Sequence, residues 1–176
     1  MSSTFATAEE LAARLDWVRA SPREEGVVEL IVRRPAVDER EVLEEAELDL
    51  ARGLVGDRWA EGAGHPGRQL TLMNARAVEL VARGRDRWAL AGDQLYVDLD
   101  LSLENLPPGT RLELGSAELE VTSELHTGCA KFTARFGPAA IRFVNGQAGR
   151  PLRLRGMYAR VVRPGAVRRG DAIRRR

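Results

Sequence analysis

The chain has 176 residues, of which 44% are hydrophobic and 30% are charged, proportions that are typical of a single globular domain. A domain of this length buries roughly 70% of the surface that its unfolded chain exposes, so its fold needs no disulfide or structural metal. The single cysteine, Cys129, excludes an internal disulfide framework. No apolar run is long enough to span a bilayer and the N-terminus lacks signal-peptide features, so we predict a cytoplasmic protein with no membrane contact.

Charge is distributed unevenly along the chain. The formal net charge is +1, but residues 131–176 contain 13 basic residues and 1 acidic residue, whereas the preceding two-thirds of the chain is acidic. This pattern has two interpretations: a basic surface that attracts phosphate, nucleic acid or an acidic partner, or arginines that neutralise the acidic part within one fold. The sequence leaves both interpretations open.

The first half of the chain predicts helices that flank short strands. Thr7 and Glu10 fit a capping box, which predicts an N-terminal helical extension over residues 1–26 that covers an open end of a sheet. Asn74 is a favourable N-cap for a helix over residues 75–83. Short apolar segments predict strands at 27–33, around 42–43, at 47–50 and at 69–73.

The second half is dominated by predicted strands. These lie at 95–100, 111–114, 117–122, 152–155, 157–162 and 167–173, with one helix at 138–144. Gly115-Ser116 indicates a tight hairpin, after which Glu118 and Glu120 are expected to face water. Many short strands with frequent turns favour a mainly β fold, an antiparallel sandwich or barrel with a few peripheral helices. Only the arginines at 174–176 are expected to be disordered.

The segment from His126 to Lys131 is the strongest candidate for chemistry. It contains Cys129, the only lysine and one of two histidines. A neighbouring cation lowers the pKa of a thiol and favours the reactive thiolate, and His126 and Lys131 are placed to supply that cation. On spacing alone, however, a lone cysteine is more often a buried structural residue than a reagent. A zinc site of His65, His126 and Cys129 is disfavoured because the sequence has no paired ligand spacing.

Two glycine-rich loops carry further candidates. In the turn at 53–58, Asp57 and Arg58 are able either to bind a ligand or to pair with each other. This turn lacks the lysine and hydroxyl residue of a P-loop, so nucleotide-phosphate binding is disfavoured. The loop at 62–68 presents His65 and Arg68.

Six features occur in the order found in one protein family. They are Gly-Leu-Val-Gly-Asp-Arg at 53–58, Arg-Gln-Leu-Thr-Leu at 68–72, Gly-Asp-Gln-Leu at 92–95, Leu-Glu-Leu-Gly-Ser-Ala-Glu-Leu-Glu-Val-Thr at 112–122, Cys129, and Gly-Met-Tyr-Ala-Arg-Val-Val-Arg-Pro-Gly-Ala-Val-Arg-Arg-Gly-Asp at 156–171. Together they resemble the MOSC domain, the C-terminal module of eukaryotic molybdenum-cofactor sulfurases, which also occurs alone in bacteria. The resemblance implies a β-barrel over residues 27–173, followed by a basic tail at 174–176.

The resemblance also implies a function. Cys129 matches the family cysteine by its place after the strand that ends at Thr122, and would ligate molybdenum or carry sulfur as a persulfide. The family is associated with molybdenum cofactor and with sulfur donated by a cysteine desulfurase. Pyridoxal phosphate belongs to the desulfurase domain of the full sulfurases and is not expected in this chain alone. Three positions differ from the common pattern, since Gly128, Trp59 and Gln94 stand where many members have proline, histidine and asparagine.

Two other functions remain as alternatives. One is a molybdenum-cofactor-dependent reductase of N-hydroxylated compounds, and the other is a non-enzymatic module that binds anions or nucleic acid. The nine aromatic residues form no stacking series, which disfavours nucleic acid. For cofactor binding, the candidate residues are Asp57, Arg58, Arg68, His126 and Lys131. The last four are expected to converge near Cys129, because an anionic sulfur or phosphate needs neighbouring cations.

Overall fold

A computed structural model describes residues 4–62 and 64–176. The α-helices are α1 (Ala8–Ala13), α2 (Leu15–Arg19), α3 (Ala75–Ala82), α4 (Ala130–Phe136) and α5 (Pro138–Asn145). The strands are β1 (Glu25–Arg33), β2 (Glu41–Leu43), β3 (Glu45–Asp49), β4 (Gly53–Leu54), β5 (Leu70–Asn74), β6 (Leu95–Asp98), β7 (Arg111–Leu114), β8 (Ala117–Val121), β9 (Met157–Arg163), β10 (Gly165–Arg168) and β11 (Ala172–Arg175). Short 3-10 helices lie at Arg58–Glu61, Pro66–Arg68 and Arg85–Ala91.

Seven strands close into a barrel in the order β1, β6, β5, β9, β8, β7 and β11, with β11 pairing back to β1. The expected mainly β barrel is therefore present, but the expectation that it is wholly antiparallel is wrong. β5 and β6 run parallel, with α3 and a 3-10 helix in the connection between them. A parallel pair needs such a crossover because a tight hairpin cannot join two strands that run in the same direction. β3, β4 and β10 form a second, smaller sheet.

The adjacent strands β5 and β6 are buried on both faces. Leu95 and Val97 of β6 point into the barrel core with residues from the other strands, as their alternation predicts. Tyr96 lies between them and points to the opposite face of β6, where it is fully buried in a second core formed with the helices. Leu11 and Val18 from α1 and α2 belong to this second core, where those helices contact α5 and α3. They therefore cover helices outside the barrel and do not close an open end of a sheet.

Most arginines near the C-terminus pair with glutamates on neighbouring strands or next to strand ends. Arg160 bonds Glu120 at 2.8 Å, and Arg163 bonds Glu118 at 2.9 Å. Glu118 is only 7% exposed, so the expectation that it faces water is wrong. Similar pairs join Arg168 to Glu45, Arg169 to Glu44, Arg174 to Glu25 and Arg175 to Glu24. For these arginines, charge neutralisation within the fold is the interpretation that the structure supports.

Three local predictions near the C-terminus need correction. Residues 152–155 form turns, not a strand. The single strand expected at 167–173 is divided into β10 and β11 by a turn at which the Asp171 carboxylate accepts a hydrogen bond from the Arg168 amide. β11 continues to Arg175, which bonds Asn105, so Arg174 and Arg175 are part of the barrel and not a disordered tail. In the described part of the chain, no helix is long and apolar enough to cross a membrane.

Candidate functional site

A cleft of about 610 Å³ lies beside the barrel and contains most of the residues singled out from the sequence. This volume is within the range of roughly 300–1,000 Å³ that is usual for small-molecule sites. The predicted residues on its wall are Arg58, Arg68, His126, Cys129 and Lys131, so the structure brings them to one site. Further lining residues are Arg34, Asp38, Arg40, Trp59, His65, Phe132, Arg135, Arg155 and Tyr158.

Cys129 lies at the N-cap of α4 with its thiol exposed. The loop before it is held by Asn145 of α5, whose side-chain oxygen accepts a hydrogen bond from the Gly128 amide at 2.9 Å. The Asn145 side-chain nitrogen donates to the Gly128 carbonyl oxygen at 3.3 Å. A Cβ at position 128 would lie 2.2 Å from Cδ1 of Ile141, so only glycine fits against α5 without a shift. The loop therefore presents the cysteine from a fixed backbone.

The pKa of the Cys129 thiol is lowered from its ordinary value. The backbone amides of Phe132 and Lys131, in the first turn of α4, lower this pKa, whereas partial burial opposes them. The Cys129 side chain does not cap α4 with a hydrogen bond. The positive charges of Arg155 and Arg135 add to the effect. The source of the shift differs from the sequence prediction, because the side chains of His126 and Lys131 are directed to carboxylates instead.

His126 belongs to a buried group of charged and polar side chains in the cleft wall. Its Nε2 lies 3.2 Å from Oδ1 of Asp93, while Nη1 of Arg155 donates to Oδ2 of the same carboxylate at 2.6 Å. The His126 ring stacks on Tyr158, with ring centroids 4.6 Å apart. Burial lowers the pKa of His126 despite the neighbouring carboxylate. His126 is thus a neutral, fixed part of the wall and not the cation expected from the sequence.

Asp57, unlike the other four predicted cofactor-binding residues, is not on the wall of the cleft. It is buried and binds Arg34 through two oxygens, at 2.9 Å from Nε and 2.8 Å from Nη2. Because burial opposes the charged form while Arg34 favours it, the net result is that the pKa of Asp57 is lowered. Asp57 therefore orients Arg34 and the loop, whereas Arg58 reaches the cleft. Among residues 4–62 and 64–176, the Arg58 side chain has no hydrogen bond or ion pair.

The remaining predicted cations have acidic partners at the cleft edge. Nε of Arg68 donates to Glu124 at 3.0 Å, and the Arg68 guanidinium lies 5.8 Å from the centre of the Tyr158 ring. Nζ of Lys131 donates to Asp38 at 3.1 Å. His65 lies 3.6 Å from Glu124, and the described residues contain no group of three His, Cys, Asp or Glu side chains able to hold a metal ion. The structure thus gives no support to a zinc site at His65, His126 and Cys129.

Several important side chains were not singled out from the sequence. Arg34, Asp38 and Arg135 come from segments with no local signal, since isolated arginines and aspartates are common on any surface. Asp93 was noted only as part of the Gly-Asp-Gln-Leu segment, and its buried contact with Arg155 joins residues that are far apart in the chain. Only the fold reveals these contacts.

The barrel fold agrees with the comparisons to known proteins. The MOSC domain family model matches residues 59–174. The chain therefore belongs to the MOSC domain family, and the structure shows that β1, which precedes the matched region, also completes the barrel. No curated protein sequence matches the chain at a significant level.

Solved structures share the fold at low sequence identity. The YuaD protein from Bacillus subtilis is 18% identical with a TM-score of 0.65, and the alignment covers 86% of this chain and 95% of that one. YiiM from Escherichia coli is 20% identical with a TM-score of 0.58, and the alignment covers 85% of this chain and 69% of that one. YiiM from Geobacillus stearothermophilus is 13% identical with a TM-score of 0.55, and the alignment covers 88% of this chain and 73% of that one. At these identities, the similarity establishes the barrel fold.

Proposed function

We propose that this chain binds molybdenum cofactor in the cleft, with the Cys129 thiolate as the ligand presented to molybdenum. The observation that carries the proposal is the position of an exposed thiol with a lowered pKa in a cleft that has more cations than carboxylates. Thiolates suit soft metal centres, and arginine and lysine suit phosphate groups. When bound, the cofactor would supply a redox-active molybdenum centre.

The residues present fit an anionic ligand of this kind. Three cleft arginines are matched by carboxylates: Arg34 by Asp57, Arg155 by Asp93, and Arg68 by Glu124. The cleft has four further cations, and among the described residues two of them, Lys131 and Arg135, share the carboxylate of Asp38. The other two, Arg40 and Arg58, form no ion pair with a carboxylate in that part of the chain. This surplus of positive charge favours an anion with several charges. In the cleft wall, Nε1 of Trp59 and Nε of Arg155 are buried without a hydrogen-bond partner in the described part of the chain.

This chain's own residues have distinct parts in the proposal. The α4 amides favour the thiolate form of Cys129, and Asn145 fixes the backbone that presents it. Arg58 is free to contact a ligand, while neutral His126 and Tyr158 offer a flat wall beside it. The Asp93–Arg155 pair holds that wall in place.

A sulfur-carrier role uses the same thiolate but fewer of these features. In that role, Cys129 would attack the terminal sulfur of a desulfurase persulfide, forming a new S–S bond as the donor thiolate leaves, with no net oxidation. Such transfer needs an accessible thiolate, but it does not require a large cationic cleft. The surplus cations therefore favour a bound cofactor over transient sulfur carriage alone. They do not favour the alternative function, the reduction of N-hydroxylated compounds.

The test is the metal and cofactor content of protein purified from a host that makes molybdenum cofactor. Wild-type protein should contain molybdenum and pterin in equal amounts, measured by mass spectrometry of the metal and by fluorescence of the oxidised pterin. Cys129→Ser should lose the molybdenum. Arg58→Gln should lower cofactor content, since it removes a cleft cation that has no partner among the described residues.

Arg142→Gln is the matched control for Arg58→Gln. Arg142 is exposed on α5, outside the cleft, and its substitution removes the same charge. Cofactor content that is equal in Arg58→Gln and Arg142→Gln would remove Arg58 from the site. Wild-type protein that acquires neither molybdenum nor pterin, but carries one added sulfur on Cys129 by intact-mass analysis, would replace cofactor binding with the carrier role.

A further inference from the structure

Two arginines from distant parts of the chain meet above Gly92. Nη2 of Arg40 lies 3.4 Å, and Nη1 of Arg135 3.9 Å, from the point that a Cβ on Gly92 would occupy. Gly92 has a φ of +87°, in the left-handed region that favours glycine, so this position is kept free of a side chain. Both guanidinium groups therefore remain open to the cleft that they line.

Arg40 has no acidic hydrogen-bond partner among the described residues. Its guanidinium donates to the carbonyl oxygens of Ala89 at 2.9 Å and Glu39 at 3.4 Å. Arg135 donates to the Leu90 carbonyl oxygen at 2.9 Å and to Asp38. Burial and the positive charge of Arg135 lower the pKa of Arg40. Two such neighbouring positive charges repel each other, and an anion between them offsets that repulsion.

Asp38 shows where an anion is accommodated. Its Oδ1 accepts from Nζ of Lys131 at 3.1 Å and from Nη2 of Arg135 at 3.0 Å. Asp38 lies in the loop between β1 and β2, adopts a φ of +61°, and has a side chain that is 60% exposed. The pair of Asp38 with Lys131, in which both side chains are more than half exposed, is weak in water, so an anion from solution can compete with Asp38 at low cost.

We propose that Arg40, Lys131 and Arg135 form a subsite for a phosphate group, in which the Asp38 carboxylate is an internal competitor that the ligand displaces. A phosphate dianion offers three oxygens and two charges to three cations, whereas one Asp38 oxygen contacts two of them. The shared chemistry is that of free phosphate or a phosphate monoester. The inference rests on the proposed function only in that the terminal phosphate of the cofactor is one such monoester.

Calorimetric titration at constant ionic strength tests the subsite, with inorganic phosphate and phenyl phosphate as probes. Lys131→Gln should weaken phosphate binding about tenfold, because it removes a charge-assisted hydrogen bond from an exposed side chain. Asp38→Asn should tighten binding about threefold, since asparagine tolerates the left-handed backbone but brings no competing charge. Arg142→Gln, which removes a charge outside the cleft, should bind as the wild type does.

The result that overturns the subsite is equal weakening by Lys131→Gln and Arg142→Gln, which would mean general attraction to positive charge. Unchanged or weaker phosphate binding by Asp38→Asn would show that the Asp38 carboxylate does not compete with the ligand. Tighter binding of phenyl phosphate than of inorganic phosphate would assign the subsite to esters that extend along the cleft, and equal binding would assign it to free phosphate. Titration of Cys129→Ser separates this inference from the proposed function, because phosphate affinity that persists without the thiol supports the subsite whether or not cofactor loads.

Discussion

The fit of Gly128 against α5 gives a quantitative test of how the loop before Cys129 is held. A Cβ at position 128 would lie 2.2 Å from Cδ1 of Ile141, far inside contact distance, whereas the nearest atoms of Asn145 and Val144 would be at 3.5 Å. The obstruction is thus one methyl group. Gly128→Ala must displace Ile141 or the loop itself.

The magnitude follows from two opposing contributions. Forcing an extra methyl group into a packed site costs roughly 1–3 kcal/mol. Replacing glycine with alanine also restricts the unfolded chain, which stabilises the fold by about 0.4–1 kcal/mol where the backbone tolerates alanine. We therefore expect Gly128→Ala to lower the free energy of unfolding by about 1–2 kcal/mol. In a chain of this length, that loss lowers Tm by roughly 2–8 °C.

Ile141→Val removes the obstructing Cδ1 atom and completes a double-mutant cycle. By itself, this substitution should cost about 0.5–1.5 kcal/mol. In the valine background, Gly128→Ala should become neutral or slightly stabilising, which gives a coupling energy of about 1–2 kcal/mol. Urea unfolding of the four proteins measures each term. Additive effects, with coupling below about 0.3 kcal/mol, would refute the assigned contact between the loop and α5.

Three further predictions concern the cleft. Asp93→Asn should lower the free energy of unfolding in urea by about 3–5 kcal/mol, because it leaves Arg155 buried without its carboxylate; a loss below about 1 kcal/mol would show that the pair is unimportant. Burial lowers the pKa of His126, so the unfolded chain binds a proton more readily than the folded chain, and the free energy of unfolding should fall as pH drops below about 6.5. His126→Gln should flatten that part of the pH profile. An unchanged profile would mean that other groups cause the pH dependence. Iodoacetamide should alkylate Cys129 in the native protein with a pH midpoint below about 8.5, whereas modification that requires denaturant would contradict an exposed thiolate.

Local patterns predicted the elements that local forces determine. Thr7 and Glu10 form the expected capping box, and Asn74 caps α3 by accepting from the amides of Arg76 and Ala77. β7 and β8 pair directly through the expected hairpin. In these cases, the stabilising contacts lie within a few residues of one another, so the sequence contains both partners in one short segment.

The errors arose where a distant contact replaced the local preference. The parallel pairing of β5 with β6 depends on the chain returning over α3, although the order of strand, helix and strand in the sequence permitted that crossover. Glu118 alternates like a solvent-facing residue, but Arg163 covers it from the neighbouring strand. A helix at α4 was missed because its buried residues, Phe132 and Phe136, find their partners in the second core.

The sequence by itself determined the family, the mainly β fold and the candidate cysteine, because these depend on residue order and short-range periodicity. Tertiary structure alone decided which charges cancel and which remain in the cleft. Asp38 and Arg135 are 97 residues apart, and Asp93 and Arg155 are 62 apart, yet each pair is in direct contact. Coulomb energy depends on distance in space and on burial, neither of which a net charge of +1 reveals. The charge balance of the cleft is therefore determined only when the fold brings these distant segments into contact.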